Sequence, residues 1–437
     1  MFFKIESTYS KAGVLRVINK GELSIAFIKG KRDKIVEDLQ NPIYILINLV
    51  NTNFLATKSA RTCKKVGKCM EIKRDKYLNE LITKENNGLI KVITGLRRCG
   101  KSYLLNTLFK NYYLFLDEIQ LLDNFVMTLN GFLSLSKFDV YVTGSNSKML
   151  SKDVITEFRD RGDQIHLYPL SFKEFFESTD KEFEEAYLEY QYFGGMPQVL
   201  KINNDNNKQQ FLKDLYKETY LKDIVERNGI KNVYCFEKLM NILASSIGSF
   251  TNPTNIEKAF KSVENIAYSH DTIKKHIEHI KDSFLVSEAV RYDIKGKKYI
   301  GSNSKYYFTD IGLRNALINF KQSEPSHIME NIIYNELIIK GYSVDVGITK
   351  INEQNENGNY VTKQLETDFV CNKINERIYI QAVCSMEILD KLIQEKKPLI
   401  NIDDNFKKII IVKDSIKKYF TDEGIEVISL KDWLLDN

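Results

Sequence analysis

Short apolar runs that end in polar or glycine-rich clusters mark the middle of this chain, and longer runs of helical period follow them. Leu89-Ile90-Lys91-Val92-Ile93-Thr94 predicts a short buried strand, and Tyr103-Leu104-Leu105-Asn106-Thr107-Leu108-Phe109 the opening of a helix. Tyr112-Tyr113-Leu114-Phe115-Leu116 and Asp139-Val140-Tyr141-Val142 predict two more strands. Strands and helices alternate from Leu89 to His166, so a parallel α/β sheet is expected there. From 172 to 249 apolar residues recur at helical spacing, interrupted at Phe193-Gly194-Gly195-Met196-Pro197. A helix–helix–hairpin pattern covers 250–314, and 325–437 opens with a helix before strands and helices alternate again. Residues 1–69 carry weaker signals: an alternation at 14–18, a helical stretch at 33–39 and the apolar run Ile43-Tyr44-Ile45-Leu46-Ile47-Asn48-Leu49-Val50. Met70-Glu71-Ile72-Lys73-Arg74 reads as a second beginning, followed by a helix through Tyr77, Leu78 and Leu81.

Composition narrows the class. The 437 residues are 43% apolar and 28% charged, as in ordinary globular proteins of several domains. The run at 43–50 is far too short to span a bilayer, and Met1-Phe2-Phe3 leads at once into Lys4 and Glu6, so neither a membrane span nor a signal peptide is expected. Six cysteines at 63, 69, 99, 235, 371 and 384 lack zinc-ligand spacing, which fits a reduced, cytoplasmic setting. The net charge of +5 is uneven: residues 1–69 hold thirteen Lys/Arg against five Asp/Glu. Such a basic arm suits contact with nucleic acid or serves as a solvated extension.

Gly95-Leu96-Arg97-Arg98-Cys99-Gly100-Lys101-Ser102 matches the phosphate-loop pattern G-x-x-x-x-G-K-S, between a predicted strand and a predicted helix. Glycines there let backbone N–H groups curl toward phosphate oxygens, and the helix N-terminus adds about half a positive charge. Backbone from Gly95 through Arg97, Arg98, Cys99 and Gly100 to Tyr103 would cradle the phosphates, with Lys101 on the β- and γ-phosphates and Ser102 on magnesium. The strand 112–116 ends in Asp117-Glu118, where Asp117 would hold magnesium through water and Glu118 would polarise the attacking water. Past the strand 139–142, Thr143-Gly144-Ser145-Asn146-Ser147 offers Asn146, then Ser145, as a γ-phosphate or water contact, or else forms a simple turn. Arg159 and Arg161, in Glu157-Phe158-Arg159-Asp160-Arg161-Gly162-Asp163, suit either an arginine finger acting on a neighbouring subunit or a surface ion-pair cluster. Arg161 is the candidate finger.

These motifs, with Phe115-Leu116-Asp117-Glu118-Ile119-Gln120 and Tyr168-Pro169-Leu170-Ser171-Phe172, together resemble the prokaryotic AAA-type ATPase family whose C-terminal half is a domain of unknown function. The resemblance runs from Met70 to the C-terminus and implies ATP binding and ATP hydrolysis; the loop serine and strand aspartate add Mg2+, and an arginine finger supplied by a neighbour adds self-association into an oligomer. One departure stands out. Family members carry several dozen residues between the loop helix and the D-E strand, whereas Ser102 and Asp117 here are fifteen positions apart. A helix over 102–110 is about 14 Å long. Asn111 and Tyr112 then span about 7 Å. They must descend to the sheet and move sideways by two strand places, about 10 Å. An edge strand of the usual sheet is missing as well. The pocket is therefore expected to be strained, or 43–50 fills the vacant strand place.

In the C-terminal half, 271–284 puts Ile273, Ile277, Ile280 and Phe284 on one helix face and leaves Lys274, Lys275 and His279 off it. Strands at 285–292 and 298–300 flank Asp293-Ile294-Lys295-Gly296-Lys297, the layout of a winged helix with Lys295, Lys297 and Lys298 on its wing. Basic residues there suit DNA phosphates, while Glu278 and Asp282 suit a rigid connector or protein contact equally well. Beyond it, Glu330 on a helix, Asp368 in Glu366-Thr367-Asp368-Phe369-Val370, and Arg377-Ile378-Tyr379-Ile380-Gln381-Ala382-Val383 look like the PD-(D/E)xK nuclease core. Gln381 stands where that core has a carboxylate and Val383 where it has its lysine, so a scaffold without cleavage is expected.

The expected fold class is α/β: a shortened P-loop NTPase parallel sheet, then a helical and winged-helix region and a nuclease-like α/β domain. Expected divisions are 1–69 (basic extension), 70–175 (ATPase), 176–249 (helical lid), 250–320 (winged helix) and 321–437 (nuclease-like). The expected function is ATP binding and hydrolysis coupled to the C-terminal half. The alternative is a nucleic-acid-binding or interaction scaffold with a decayed ATPase site.

Overall fold

The computed structural model describes residues 45–48, 72, 74–84, 87, 89–101, 104, 113–117, 129, 139–144, 162–264, 266–321, 324–354, 360–384 and 389–436. They fall into two compact units, Met1–Tyr168 and Pro169–Asn437.

The first unit is built on five parallel strands, β1 (Ile45–Asn48), β2 (Ile90–Gly95), β3 (Tyr113–Asp117), β4 (Asp139–Thr143) and β5 (Gly162–Leu167). Their order is β1-β3-β4-β2-β5. Every residue of β2 is buried, as its near-continuous apolar run requires of an inner parallel strand. Its one charge, Lys91, donates to Leu89 O at 3.0 Å and lies over the Tyr141 ring. The D-E strand β3 lies two places from β2, as expected, and the edge beyond it is taken by β1 from the apolar run at 43–50. Tyr77 and Leu81 of α1 (Asp75–Thr83) are buried, and at that helix's end Lys84 pairs with Glu80 and with Asp163 on β5. The signals at 14–18 and 33–39 lie outside the described residues.

The second unit combines helices over 172–282 with a mixed eight-stranded sheet. Its strands are β6 (Val286–Asp293), β7 (Lys298–Phe308), β8 (Ser343–Gln354), β9 (Tyr360–Lys373), β10 (Glu376–Val383), β11 (Lys407–Val412), β12 (Tyr419–Phe420) and β13 (Glu426–Ser429). The order is β12-β13-β11-β10-β9-β8-β6-β7. The two strands expected to form a wing therefore do not stand apart: β6 pairs in parallel with β8, and one sheet runs through the segments 250–320 and 321–437 that the sequence predicts as separate domains.

The expected recognition helix is His270–Asp282, with Ile273, Ile277 and Ile280 buried and Lys274 and Lys275 exposed. Phe284 is not on that face. It follows the helix end at φ 60°, a left-handed conformation that ends the helical run, and it is partly exposed. The interruption at 193–197 has a packing cause. Gly194 takes φ 72°, and a Cβ there would lie 2.4 Å from the Asp310 carboxylate, which accepts from Gly195 N at 2.8 Å and caps the helix Ile311–Leu317 through Leu313 N at 2.9 Å.

Candidate functional site: the phosphate loop and a buried carboxylate centre

The loop leaves β2 at Gly95, whose φ of 137° only glycine adopts readily. An added Cβ there would meet Leu167 O at 2.0 Å, so β5 lies too close for any side chain. Arg98 at φ 64° and Gly100 at φ 103° continue the curl, and a Cβ on Gly100 would meet nothing within 4 Å. The turn is tied by Cys99 N to Leu96 O, 3.3 Å, and the helix begins with Leu104 N to Gly100 O, 2.9 Å. Arg98 is exposed and Arg97 half-buried. The Cys99 thiol is buried and donates to Leu167 O at 3.3 Å, so Cys99 offers a ligand only its backbone. Lys101 is 5% exposed and its ammonium donates to Gly95 O and Leu96 O, each at 3.0 Å. A buried cation is thus held against the carbonyls of a loop whose Gly95, Arg98 and Gly100 take positive φ, a combination that suits a polyphosphate.

Behind the loop, Thr94 Oγ1 and His166 Nδ1 are 3.1 Å apart on the facing residues of β2 and β5. Burial, reinforced by the nearby Lys101 charge, pushes the His166 pKa down to about 4, so the ring is neutral at physiological pH. Sequence reading missed His166; its place one residue before Leu167, across from Thr94, emerges only from strand pairing.

Of the other predicted nucleotide contacts, Asp117 closes β3, and Gly144 at the end of β4 donates its N–H to Ile93 O at 3.2 Å. Ser102, Tyr103, Glu118, Ser145, Asn146, Arg159 and Arg161 lie outside the described residues.

The second unit gathers a buried charged centre. Glu330 on the helix Pro325–Ile339 and Asp368 on β9 come together, both buried. Lys305 on β7 joins them: it donates to Glu330 Oε1 at 2.8 Å and lies 2.6 Å from Glu366 Oε1. Tyr307 donates its hydroxyl to the same Glu330 oxygen at 2.6 Å. Burial, then the Glu330 charge, holds the Asp368 carboxyl well above the usual range, with Lys305 opposing. Burial alone would lower the Lys305 pKa, but Glu330, Asp368 and Glu366 outweigh it and raise it. Gln381 accepts from Asp368 N at 3.3 Å and donates to Glu395 at 2.8 Å, while Val383 sits in an apolar cluster with Leu399 and Val412. The wing lysines 295, 297 and 298 are exposed. Among the described residues no helix is long and apolar enough to cross a membrane.

An AAA domain family matches residues 110–176, and a domain of unknown function (DUF8612) matches 184–324. An uncharacterized protein of Haemophilus influenzae is 32% identical over 416 aligned positions, covering 83% of this chain and 98% of that protein. That span is longer than the share of this chain filling it, so the relative carries residues this chain lacks inside the aligned region. An uncharacterized protein of Methanocaldococcus jannaschii is 29% identical, covering 78% of this chain and 85% of that protein. Among solved structures, Cdc6p of Pyrobaculum aerophilum is similar at 12% identity over 62% of this chain and 97% of that one, with a TM-score of 0.23.

Proposed function

From a chain that belongs to the family of the Haemophilus influenzae protein and carries an AAA-type domain, we propose an ATPase that binds Mg-ATP at its phosphate loop and couples nucleotide state to its C-terminal unit. The observation that carries this reading is the loop itself: Gly95, Arg98 and Gly100 at positive φ, and Lys101 drawn to the carbonyls of Gly95 and Leu96. A bound triphosphate would take over that ammonium. Ser102 and Asp117 would share the magnesium, which supplies charge neutralisation at the transferred phosphoryl group. Glu118 would polarise the water, Asn146 orient it, and Arg161 serve a neighbouring subunit, so hydrolysis would proceed in an oligomer. The neutral His166 ring braces the strand beneath Lys101 without adding a competing charge.

In the second unit the reading is a nuclease-like domain that does not cleave, with the lysines of the β6–β7 hairpin available to DNA phosphates. A rival reading, a nucleic-acid-binding scaffold with a decayed ATPase, draws on two observations: the AAA match starts at residue 110, past the loop, and only fifteen positions separate Ser102 from Asp117. Equilibrium Mg-ATP binding and turnover by the full chain decides between them. The ATPase reading expects saturable binding and phosphate release. The scaffold expects neither, with salt-sensitive retention on immobilised DNA.

A further inference from the structure

The nuclease-like pattern implies a divalent cation on Glu330 and Asp368, and the side chains around them do not fit one. The Glu330 oxygen that faces the centre already accepts from Lys305 and from the Tyr307 hydroxyl. Asp368 gives Oδ2 to Ala382 N at 2.8 Å, and the residue in the third ligand position is an amide, Gln381, engaged on both of its ends. Lys305, 3% exposed, bridges Glu330 and Glu366 from a strand that the nuclease pattern does not use. Among the described residues no group of three or more His, Cys, Asp or Glu is arranged to hold a metal ion. A hard divalent ion needs oxygen ligands closer than an ammonium does, and it would be repelled by the ammonium between them.

We propose that the Lys305 ammonium is the resident cation of this centre, so that the domain keeps its nuclease-like carboxylates without a metal. Buried carboxylates persist only when paired or metal-bound. A lysine delivered from β7 partners the acids from another strand, while Val383, at the pattern's lysine position, packs in the apolar cluster. The inference rests on the non-cleaving reading above and adds its cause.

Manganese is the probe, followed by electron paramagnetic resonance of the free ion on the full chain without nucleotide, so that no triphosphate recruits metal to the phosphate loop. Wild type is expected to take up none at millimolar manganese. Lys305→Met, which keeps an apolar stem and removes the charge, is expected to melt below wild type in chelator, because the acids lose their cation, and Glu330→Gln in the same background to regain part of that loss. Should Lys305→Met fail to fold, wild-type melting carries the test: equal midpoints in manganese and in chelator are expected. A manganese-dependent rise of more than about 3 °C in wild type, absent in Asp368→Asn, overturns the proposal. So does a Lys305→Met that melts as high as wild type. Plasmid nicking by wild type, read in parallel, overturns the non-cleaving reading. A Lys305→Met as stable as wild type, with no nicking by wild type, overturns the resident cation alone.

Discussion

Asn48 stands directly across from Asp117 in the parallel register of β1 and β3, the last of four paired positions that begin at Ile45 and Leu114. The strand that ends in the proposed magnesium ligand is therefore flanked by β4 on one side and, on the other, by a segment from far upstream of the phosphate loop. An inner parallel strand has both rows of backbone groups paired, whereas an edge strand leaves one row open.

A chain begun at Met70 loses β1 and turns β3 into an edge. Its Mg-ATP turnover is expected to fall at least about tenfold, because Asp117 would then end a strand paired on one side only. It is also expected to self-associate through the bared edge. Phosphate-release kinetics and size-exclusion chromatography on the two chains check both effects. A full rate in the shortened chain would separate residues 1–69 from the ATPase.

Lys101→Met removes the loop cation and keeps most of the buried stem. If the ammonium stabilises charge on the transferred phosphoryl group, kcat should drop by about a hundredfold or more. The melting midpoint should fall less than it would for Lys101→Ala, because the carbonyls of Gly95 and Leu96 lose their donor in both variants while the alanine also vacates the stem. Steady-state kinetics beside thermal melting separate the two contributions.

Gly95→Ala tests the closeness of β2 and β5. The new methyl would sit 2.0 Å from Leu167 O in a backbone conformation that alanine rarely adopts, so the strands must part or the loop must re-form. A loss of about 2–4 kcal/mol is expected for the first unit, together with loss of nucleotide binding. Denaturant melting followed by a probe in that unit, and nucleotide titration, measure them.

The strands around the phosphate loop were legible because they are apolar runs cut off by glycine or charge, and Glu330 and Asp368 because a known pattern places them. Pairing was harder to read. A missing strand place left two alternatives, a strained pocket or 43–50 filling the place; that it would lie beside β3, in register with Leu114 through Asp117, has no signature in either segment. The β6–β7 hairpin read as a free wing because its parallel partner β8 lies beyond two intervening helices. Lys305 was missed for a similar reason. Its acids come from a helix 25 positions later and from β9, and nothing near Lys305-Tyr306-Tyr307 points to them.

Between about pH 4 and pH 6.5, buried Asp310 in the second unit titrates with an effect opposite to that of buried His166 in the first and of His276 in the second, both of which burial pushes down to about 4. Asp310 accepts backbone N–H groups from Gly195 and Leu313, yet burial outweighs them and pushes its pKa up to about 6. Between its unfolded value, about 4, and that folded value, the native state binds more protons than the unfolded one, so its contribution to stability is lost as pH rises through 6. The His166 pKa is pushed down to about 4, below its unfolded value of about 6.5, so the native state binds fewer protons there and stability is lost as pH falls. Asp310→Asn is expected to shift the pH slope of the second unit's melting toward greater stability at higher pH, where His276 acts unopposed by it, and His166→Gln to flatten that of the first. The stability difference between Asp310→Asn and wild type should change by about 3 kcal/mol across the window, in the direction that penalises wild type at higher pH. Melting curves at half-unit pH steps, with a probe in each unit, read the two slopes separately. An Asp310→Asn chain whose slope matches wild type would mean that the carboxylate keeps an ordinary pKa inside the fold.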